Sequence, residues 1–224
     1  MYLIITKKKW HFDNFKKLKS NKFRLVTNKK KLTYNYISKI KPKLIFFPHW
    51  SNKVSSKIIT NFKCICFHET ALPYGRGGSP IQNLIIRGKK NTSISAFIMN
   101  NKLDSGDLIS IKKRKLLLNG SAQQIYERSS KIIFDMIKEI IKMKKITSFK
   151  QSGRITKFKR LSNNSEIISN GDKLQKIYDH IRMLDAKTYK NAFIKKDNLK
   201  ISLYNVKKMK NKLSLTGIIN LNDK

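Results

Sequence analysis

The sequence is poor in acidic residues, in cysteine and in long apolar runs. Its 224 residues include 13 Asp and Glu against 50 Lys and Arg, a formal net charge of +37. Two cysteines two positions apart, Cys64 and Cys66, cannot form a disulfide framework, so a reducing, cytoplasmic setting is expected. The longest apolar runs, 2–5 and 44–48, are far shorter than the roughly 20 residues of a membrane-spanning helix. Because no secretory leader pattern opens the chain, we expect neither a membrane protein nor a secreted one.

The positive charge is not concentrated where the motifs lie. Residues 61–110 contain six basic and three acidic residues, a net of +3, whereas the other 174 contain 44 and 10, a net of +34. A dedicated nucleic-acid-binding protein more often concentrates its charge on its working surface. Lys is also accompanied by abundant Ile and Asn, the residues that AT-rich coding favours. We therefore interpret most of the charge as solvated surface, with dedicated nucleic-acid binding as the alternative.

Strands and helices are predicted to alternate over residues 1–144. Apolar runs predict strands at 2–6, 23–27, 43–47, 63–67 and 93–99. Apolar residues at helical spacing predict helices at 10–19, 32–40, 54–60, 80–88 and 121–144. Residues 108–118 are expected to be extended and bent. This alternation predicts an α/β fold class with a mostly parallel, twisted sheet.

The sequence of the last third of the chain predicts a connector followed by a second, smaller unit. We place an α/β domain at 1–145, a connector at 146–165 with a polar cluster at 162–165, and a small C-terminal α+β unit at 166–224. That unit would contain a helix at 173–184 and strands at 199–206 and 213–221, joined by a turn at Asn211. If exposed, the two strands could pair across a homodimer.

The most informative stretch is 68–82, His-Glu-Thr-Ala-Leu-Pro-Tyr-Gly-Arg-Gly-Gly-Ser-Pro-Ile-Gln. His68 follows a predicted central strand, where open α/β sheets place their sites. Arg76 lies between glycines that let the backbone approach a ligand, and its planar fork suits a phosphate or carboxylate.

A second turn at 103–107 carries Asp104. A carboxylate beside an imidazole orients the ring and stabilises its cation, so His68 and Asp104 form a candidate acid–base pair. For each residue alone, a loop histidine or a turn-forming aspartate is the simpler interpretation. The spacing of the two residues favours the pair.

The pattern His-x4-Pro-x2-Arg-Gly-x2-Pro, followed by Leu-Asp-x-Gly, resembles the formyltransferase family that uses 10-formyltetrahydrofolate. Methionyl-tRNA formyltransferase, the sugar N-formyltransferases and glycinamide ribonucleotide transformylase share this fold. The resemblance covers about residues 40–145 and continues weakly through 151–154 and 181–185. It implies a Rossmann-like fold with 1–145 as catalytic domain, 10-formyltetrahydrofolate as formyl donor and a primary amine as acceptor.

In that family an Asn-x-His motif and the aspartate form the catalytic set. The resemblance carries over to His68 and Asp104, but Cys66 stands at the Asn position. A thiol is a poor oxyanion donor, and losing one such donor typically costs roughly 100–1,000-fold in rate. Either another group takes over, catalysis is weak, or the reaction differs. Cys66 as a covalent nucleophile is an alternative to an ordinary strand residue, and a metal site at Cys64 and Cys66 is disfavoured because no histidine shows ligand spacing.

The resemblance also implies residues that bind the two substrates. The donor-binding residues would be Phe47, Pro48, His49, Trp50 and Leu103, although a capping loop with a packed tryptophan also explains the first four. The acceptor-binding residues would be Arg76, Gly77 and Gln82, although Gln82 is equally well explained as a solvated helix residue.

The predicted acceptor is the primary amine of an activated, nucleotide-linked amino sugar. Methionyl-tRNA formyltransferases are longer and have a complete C-terminal barrel, whereas this chain reaches its motif histidine at position 68. The loop Leu-Pro-Tyr-Gly-Arg-Gly-Gly-Ser-Pro also resembles that of formyltransferase-like proteins of amino-sugar pathways. A methionyl-tRNA formyltransferase is the alternative, kept open by the high charge. A catalytically impaired folate-binding relative and a Lys-rich RNA-binding module are the non-enzyme alternatives.

Overall fold

The computed structural model describes residues 1–161, 166–167, 173–187 and 189–221. Its helices are α1 Phe12–Lys16, α2 Tyr34–Ile40, α3 Ser56–Asn61, α4 Pro80–Ile86, α5 Ala122–Lys142 and α6 Leu174–Leu184. Its strands are β1 Tyr2–Ile5, β2 Phe23–Val26, β3 Leu44–Phe47, β4 Cys64–His68, β5 Arg76–Gly77, β6 Asn91–Ile98, β7 Leu108–Ile109, β8 Arg114–Leu117, β9 Ser148–Phe149, β10 Lys157–Phe158, β11 Ala192–Lys196, β12 Leu199–Lys208 and β13 Leu213–Leu221. Over the described ranges, every helix is too short or too polar to cross a membrane.

The main sheet has the strand order β2-β1-β3-β4-β6-β7-β9, with β8 also paired to β6. The first four strands run parallel, and β6 runs antiparallel to β4. β3 and β4 are buried along their whole length, as expected for parallel strands covered on both faces. The predicted α/β class with a mostly parallel sheet is confirmed.

Each face of the sheet packs against its own apolar core. Phe67 of β4 packs in one core with Ile137 of α5. Cys66 packs in the other core with Ile37 of α2 and Ile58 of α3. Because successive side chains of a strand point to opposite faces, β4 contributes alternately to both cores. Its carboxyl end therefore borders both cores.

The long helix α5 follows the predicted pattern. Ser121 caps its start through a capping box with Gln124, an arrangement that stabilises a helix by about 1 kcal/mol. Its buried stripe includes three polar residues, Tyr126, Ser129 and Ser130, among the isoleucines. Those three side chains belong to the cavity and polar chain described below.

Two elements differ from the sequence prediction. The helix predicted at 10–19 is a 3₁₀ turn, Lys9–His11, followed by the five-residue α1, and Lys19 has a φ of +43°, which ends helical geometry. The C-terminal sheet has a third strand, β11, antiparallel to β12. Its second half is charged and exposed, so the sequence shows no apolar alternation there. The predicted hairpin of β12 and β13 is confirmed.

The segment predicted as a connector is built into the main body. The structure describes its residues 146–161, and the polar cluster at 162–165 lies outside the described residues. β9 extends the main sheet beside β7, and β10 pairs in parallel with β5 in the glycine-containing loop. The domain boundaries at 145 and 165 stay a prediction.

Candidate functional site

A cavity of about 660 Å³ opens at the carboxyl end of the parallel strands. Its wall includes the loop after β3, the end of β4, the loop that precedes α4, the turn after β6, and Tyr126 of α5. This is the position at which open α/β sheets bind ligands.

His68 and Asp104 lie together in the cavity wall. Nδ1 of His68 is 3.8 Å from Oδ2 of Asp104. Nε2 of His68 is 2.8 Å from the carbonyl oxygen of Gly75. A carbonyl can only accept, so Nε2 carries the hydrogen of the neutral ring and Nδ1 is the atom that can take a proton. Protonated Nδ1 would then face the Asp104 carboxylate, which stabilises the imidazolium.

Backbone groups orient the Asp104 carboxylate. The N–H of Gly77 donates to Oδ2 of Asp104 at 2.8 Å. Gly77 has a φ of +116°, and a Cβ there would lie 2.3 Å from the carbonyl oxygen of Phe158. A side chain at this position would clash with β10, so glycine is needed for the N–H to reach the carboxylate.

Arg76 braces the Asp104 turn. Its Nε and Nη2 donate to Oε1 of Gln151 at 3.0 and 2.7 Å. Nε2 of Gln151 in turn donates to the carbonyl oxygens of Asp104 and Gly106 at 2.9 and 2.8 Å. Arg76 is not among the described cavity-lining residues, whereas Arg160 is. This geometry does not support the predicted contact of Arg76 with an acceptor anion.

Residues 156–159 also shape the glycine-containing loop. The N–H of Gly75 donates to Oγ1 of Thr156 at 2.7 Å. Nδ2 of Asn83, on α4, donates to the carbonyl oxygen of Lys159 at 2.9 Å and to that of Gly78 at 3.1 Å. The loop geometry thus depends on a segment about 80 residues away in the sequence.

Cys66 lines the cavity, but its thiol is directed at the backbone. Sγ lies 3.5 Å from the carbonyl oxygen of Phe47 and can donate to it. Burial, together with the carboxylates of Asp104 and Glu69, raises the pKa of the Cys66 thiol far above its ordinary value. A neutral thiol is a weak donor and a poor nucleophile. The described residues also contain no group of three or more His, Cys, Asp or Glu side chains that could hold a metal ion.

Residues 47–50, at the end of β3 and in the loop after it, lie in different surroundings. Phe47 and Pro48 are buried and are not among the described cavity-lining residues, whereas His49, Trp50 and the exposed Leu103 are. The Trp50 ring lies edge-on to Phe47, with centroids 6.0 Å apart. Its Nε1 is buried and has no hydrogen-bond partner among the described residues.

An aromatic stack that the sequence did not predict forms another wall. The Trp10 and Tyr126 rings are parallel within 5° with centroids 4.7 Å apart, and Tyr189 continues the stack at 6.1 Å. The Lys8 ammonium lies 5.2 Å from the Trp10 ring. His49 lies edge-on to Tyr126, with centroids 5.1 Å apart.

The cavity therefore has two sides, one on each core of the sheet. We call the side formed by Lys8, Trp10, His49, Glu69, Tyr126 and Tyr189 the Trp10 side. We call the side formed by Trp50, Cys66, Phe97 and Met99 the Trp50 side. His49 was predicted to bind the donor beside Trp50, but its side chain lies on the Trp10 side.

A buried polar chain runs behind the Trp10 side. Nε2 of His49 contacts Oε1 of Glu69, and Nδ1 of His49 accepts from Nε1 of Trp10 at 2.8 Å. Nε2 of His11 lies 2.7 Å from the same Nδ1, and its other nitrogen lies 2.8 Å from Oγ of Ser130. Burial, with further contributions from the neighbouring His49 and Lys8, lowers the pKa of His11 well below its ordinary value.

Gln82, predicted to contact the acceptor, lies in the core instead. It is fully buried and is not among the described cavity-lining residues. Its Nε2 donates to the Tyr126 hydroxyl at 3.0 Å and to the carbonyl oxygen of Met183 at 3.1 Å. Gln82 therefore fixes Tyr126 in the stack and joins α4 to α6.

The cavity residues that the sequence analysis missed lie mostly on the Trp10 side. Glu69 had a usable signal, because it directly follows His68 at a strand end. Trp10, Tyr126 and Tyr189 are separated by up to 179 positions and follow no shared local pattern.

Comparison with known proteins identifies two matching family models. The formyl transferase model matches residues 5–139. The model of the C-terminal domain of methionyl-tRNA formyltransferase matches residues 162–219.

Several individual proteins are similar to the chain. The structure of a methionyl-tRNA formyltransferase from Clostridium thermocellum is 42% identical, covers 98% of both chains and has a TM-score of 0.92. A curated methionyl-tRNA formyltransferase from Thermodesulfovibrio yellowstonii is 29% identical over 175 residues, 75% of this chain and 57% of the relative. The chain spans only 28% to 57% of the length of the first three curated relatives. A sugar N-formyltransferase structure from Shewanella shares the fold at 18% identity, with a TM-score of 0.68 over 91% of this chain and 96% of the other.

Proposed function

The chain belongs to the formyl transferase family, and from that premise we propose that it transfers the formyl group of 10-formyltetrahydrofolate to the primary amine of a methionyl-tRNA. The main observation that supports formyl transfer is the His68–Asp104 pair, 3.8 Å apart in a cavity of about 660 Å³. That volume lies in the range of small-molecule sites. The 42% identical methionyl-tRNA formyltransferase supports this acceptor over the amino sugar that the sequence analysis favoured.

The Trp50 side fits a folate. Its wall is apolar at Phe97 and Met99, which suits a flat ring. The buried Nε1 of Trp50 lacks a partner among the described residues, and an acceptor atom of a bound ring would satisfy it. Trp50, Phe97 and Leu103 would hold the donor, which supplies an activated formyl carbon.

The proton transfer falls to His68. An amine nitrogen that forms an amide must lose a proton, and Nδ1 of His68 is the atom that can accept it. The hydrogen bond from Nε2 to Gly75 fixes the ring, and Asp104 stabilises the cation. Gly77 holds the carboxylate in place for this purpose.

An amino-sugar nucleotide is the second candidate acceptor. The sugar N-formyltransferase structure from Shewanella and this chain cover each other almost completely, whereas the first three curated methionyl-tRNA formyltransferases are covered to 57% or less. The aromatic stack of the Trp10 side also suits a base, and Lys8 and Arg160 suit phosphates. The acceptor end of a tRNA also carries bases and phosphates, so an activity assay must distinguish the two acceptors.

The test is formyl transfer by the purified chain. The protein is incubated with 10-formyltetrahydrofolate and either methionyl-tRNA or a thymidine-diphosphate-linked 4-amino-4,6-dideoxyglucose, and the products are identified by mass. We expect formyl-methionyl-tRNA, with His68→Ala as the inactive control. Formylation of the sugar alone would establish the second candidate. No product from either acceptor, in protein that binds a reduced folate, would contradict the proposal.

A further inference from the structure

Glu69 is a cavity carboxylate to which the mechanism above gives no role. Asp104, the other carboxylate among the described cavity residues, is committed to Gly77 and His68. Glu69 is only 4% exposed. Its contacts with His49 and with the hydroxyl of Ser129, the latter at 3.3 Å, both use Oε1. Oε2 takes part in neither of these two contacts.

The strand geometry places Glu69 across from His68. The two residues are consecutive at the end of β4, and consecutive side chains point to opposite faces of a sheet. His68 stands beside Cys66 and Asp104, whereas Glu69 belongs to the Trp10 side. An acceptor bound on the Trp10 side would pass its amine by Glu69 before it reaches His68.

The electrostatics of this position favour a cationic ligand. Burial disfavours an ionised carboxylate, but the adjacent His49 lowers the pKa of Glu69 overall, with a further contribution from His68. The other titratable groups that face Glu69 are the Cys66 thiol and the Tyr126 hydroxyl. Lys8 and Arg160 line the same cavity. A buried anion is costly unless cations or donors pair with it, as His49 and Ser129 do here at Oε1.

We propose that Glu69 binds the ammonium group of the acceptor and so positions the nitrogen for its reaction with the formyl carbon. The proposal rests on the proposed function for the identity of the reaction. An α-amino group has a pKa of about 7.7–8.0, so much of it is ammonium at neutral pH and cannot attack.

The proton balance needs only His68 and solvent. R–NH₃⁺ held at Glu69 loses its first proton to solvent and becomes R–NH₂. The nitrogen then bonds to the formyl carbon as the bond from that carbon to the folate nitrogen breaks. His68 takes the second proton at Nδ1 and returns it to the departing folate nitrogen. The products are the formamide and tetrahydrofolate.

The first experiment measures binding in the absence of any folate. Methionyl-tRNA and the thymidine-diphosphate-linked amino sugar are each titrated against their N-acetyl derivatives at pH 6.5. We expect the wild type to bind the amine form of one probe at least about tenfold tighter than the acetylated form, and Glu69→Gln to lose that preference. The control Glu139→Gln removes an equally charged residue that pairs with Arg114 outside the cavity, and it should keep the preference.

The second experiment is a pH profile of formyl transfer. Glu69→Gln should lower kcat/KM by roughly 10–150-fold at pH 6.5, the range for losing a hydrogen bond to a charged group. The loss should shrink as the pH rises above the amine pKa, because the free amine is then already neutral. Glu69→Asp, which keeps the carboxylate, should restore part of the activity even if the Gln variant folds poorly.

Two results would overturn the proposal. One is a wild type with no preference for either amine over its acetylated form, or a Glu69→Gln variant that keeps the preference. The other is a loss of activity that is constant with pH and fully shared by Glu69→Asp. An amine preference without any formyl transfer would contradict the proposed function while leaving Glu69 as an ammonium site.

Discussion

The Trp50 side and the Trp10 side of the cavity are built in different ways. The Trp50 side and the reaction centre come from strand ends and the turns that follow them, so their residues fall within short motifs. The Trp10 side combines the N-terminal segment, the buried stripe of α5 and Tyr189 near the C-terminal sheet. The His68–Asp104 pair can therefore be predicted from local sequence, whereas the Trp10 side depends on tertiary packing.

Under the proposed function, the two sides of the cavity suit different substrates. The Trp50 side offers an apolar wall and one unsatisfied donor, which suits a folate ring. The Trp10 side offers stacked rings, cations and a buried carboxylate, which suit a charged acceptor. Substitutions on one side should leave binding to the other side unchanged.

The largest effect is expected at the centre that both sides share. His68→Ala removes the group that accepts the amine proton, so kcat should fall by roughly 100–10,000-fold. Binding of a reduced folate, measured by calorimetry, should stay within a few-fold of the wild type. His180→Ala, a histidine on α6 outside the cavity, is the control and should retain activity. A fully active His68→Ala enzyme would exclude His68 as the base.

The next largest effect is expected on the Trp10 side. Tyr189→Ala removes the outer ring of the stack, and the loss of one base–aromatic contact typically costs about 1–3 kcal/mol, or roughly 5–150-fold in acceptor affinity. Tyr189→Phe keeps the ring and should bind the acceptor nearly normally. Parallel titrations with acceptor and with folate check this, and a loss of folate affinity would break the assignment of the two sides.

A smaller effect is expected on the Trp50 side. Trp50→Phe keeps an aromatic ring but removes the Nε1 donor, and one hydrogen bond is worth about 1 kcal/mol, or roughly fivefold in folate affinity. Acceptor affinity should not change. Trp10→Phe is the matched control, since it removes the corresponding N–H on the other side. Folate binding that weakens equally in both variants would contradict the comparison.

The smallest effect is expected at Cys66. Because its thiol is neutral and directed at the backbone, Cys66→Ala should change kcat by less than about tenfold. Burial raises the pKa of Cys64 to about 12, so both thiols stay protonated at pH 8 and become thiolates only at far higher pH. Iodoacetamide at pH 8 should modify neither cysteine until the protein is denatured. Rapid inactivation of the native enzyme would show that Cys66 takes part in the chemistry.

The sequence predicted the elements whose signals are local. Alternating apolar runs predicted the α/β sheet, and the spacing of His68 and Asp104 predicted a pair that the structure brings to 3.8 Å. Gln82 shows why other predictions of site residues failed. An amide on a short helix resembles a solvated residue until α5 and α6 are packed against it.

The two-residue strands β5 and β10 also could not be predicted from the sequence. β5 and β10 are too short for any periodic pattern, yet their pairing sets the position of Gly77. The single arginine of the motif suggested an anion site by its type alone, but Gln151 occupies its fork.

The pairing of β5 with β10 also has a consequence for the order in which the protein is made. The loop that carries Arg76 and Gly77 emerges from the ribosome early, but its partner strand, Lys157–Phe158, follows about 80 residues later. Gly75 also lacks Thr156, and Arg76 lacks Gln151, until those residues are made. A nascent chain that ends before residue 151 can form most of the parallel sheet, but it lacks the contacts of Gln151 with the aspartate turn. Catalytic competence is thus acquired in the last third of synthesis.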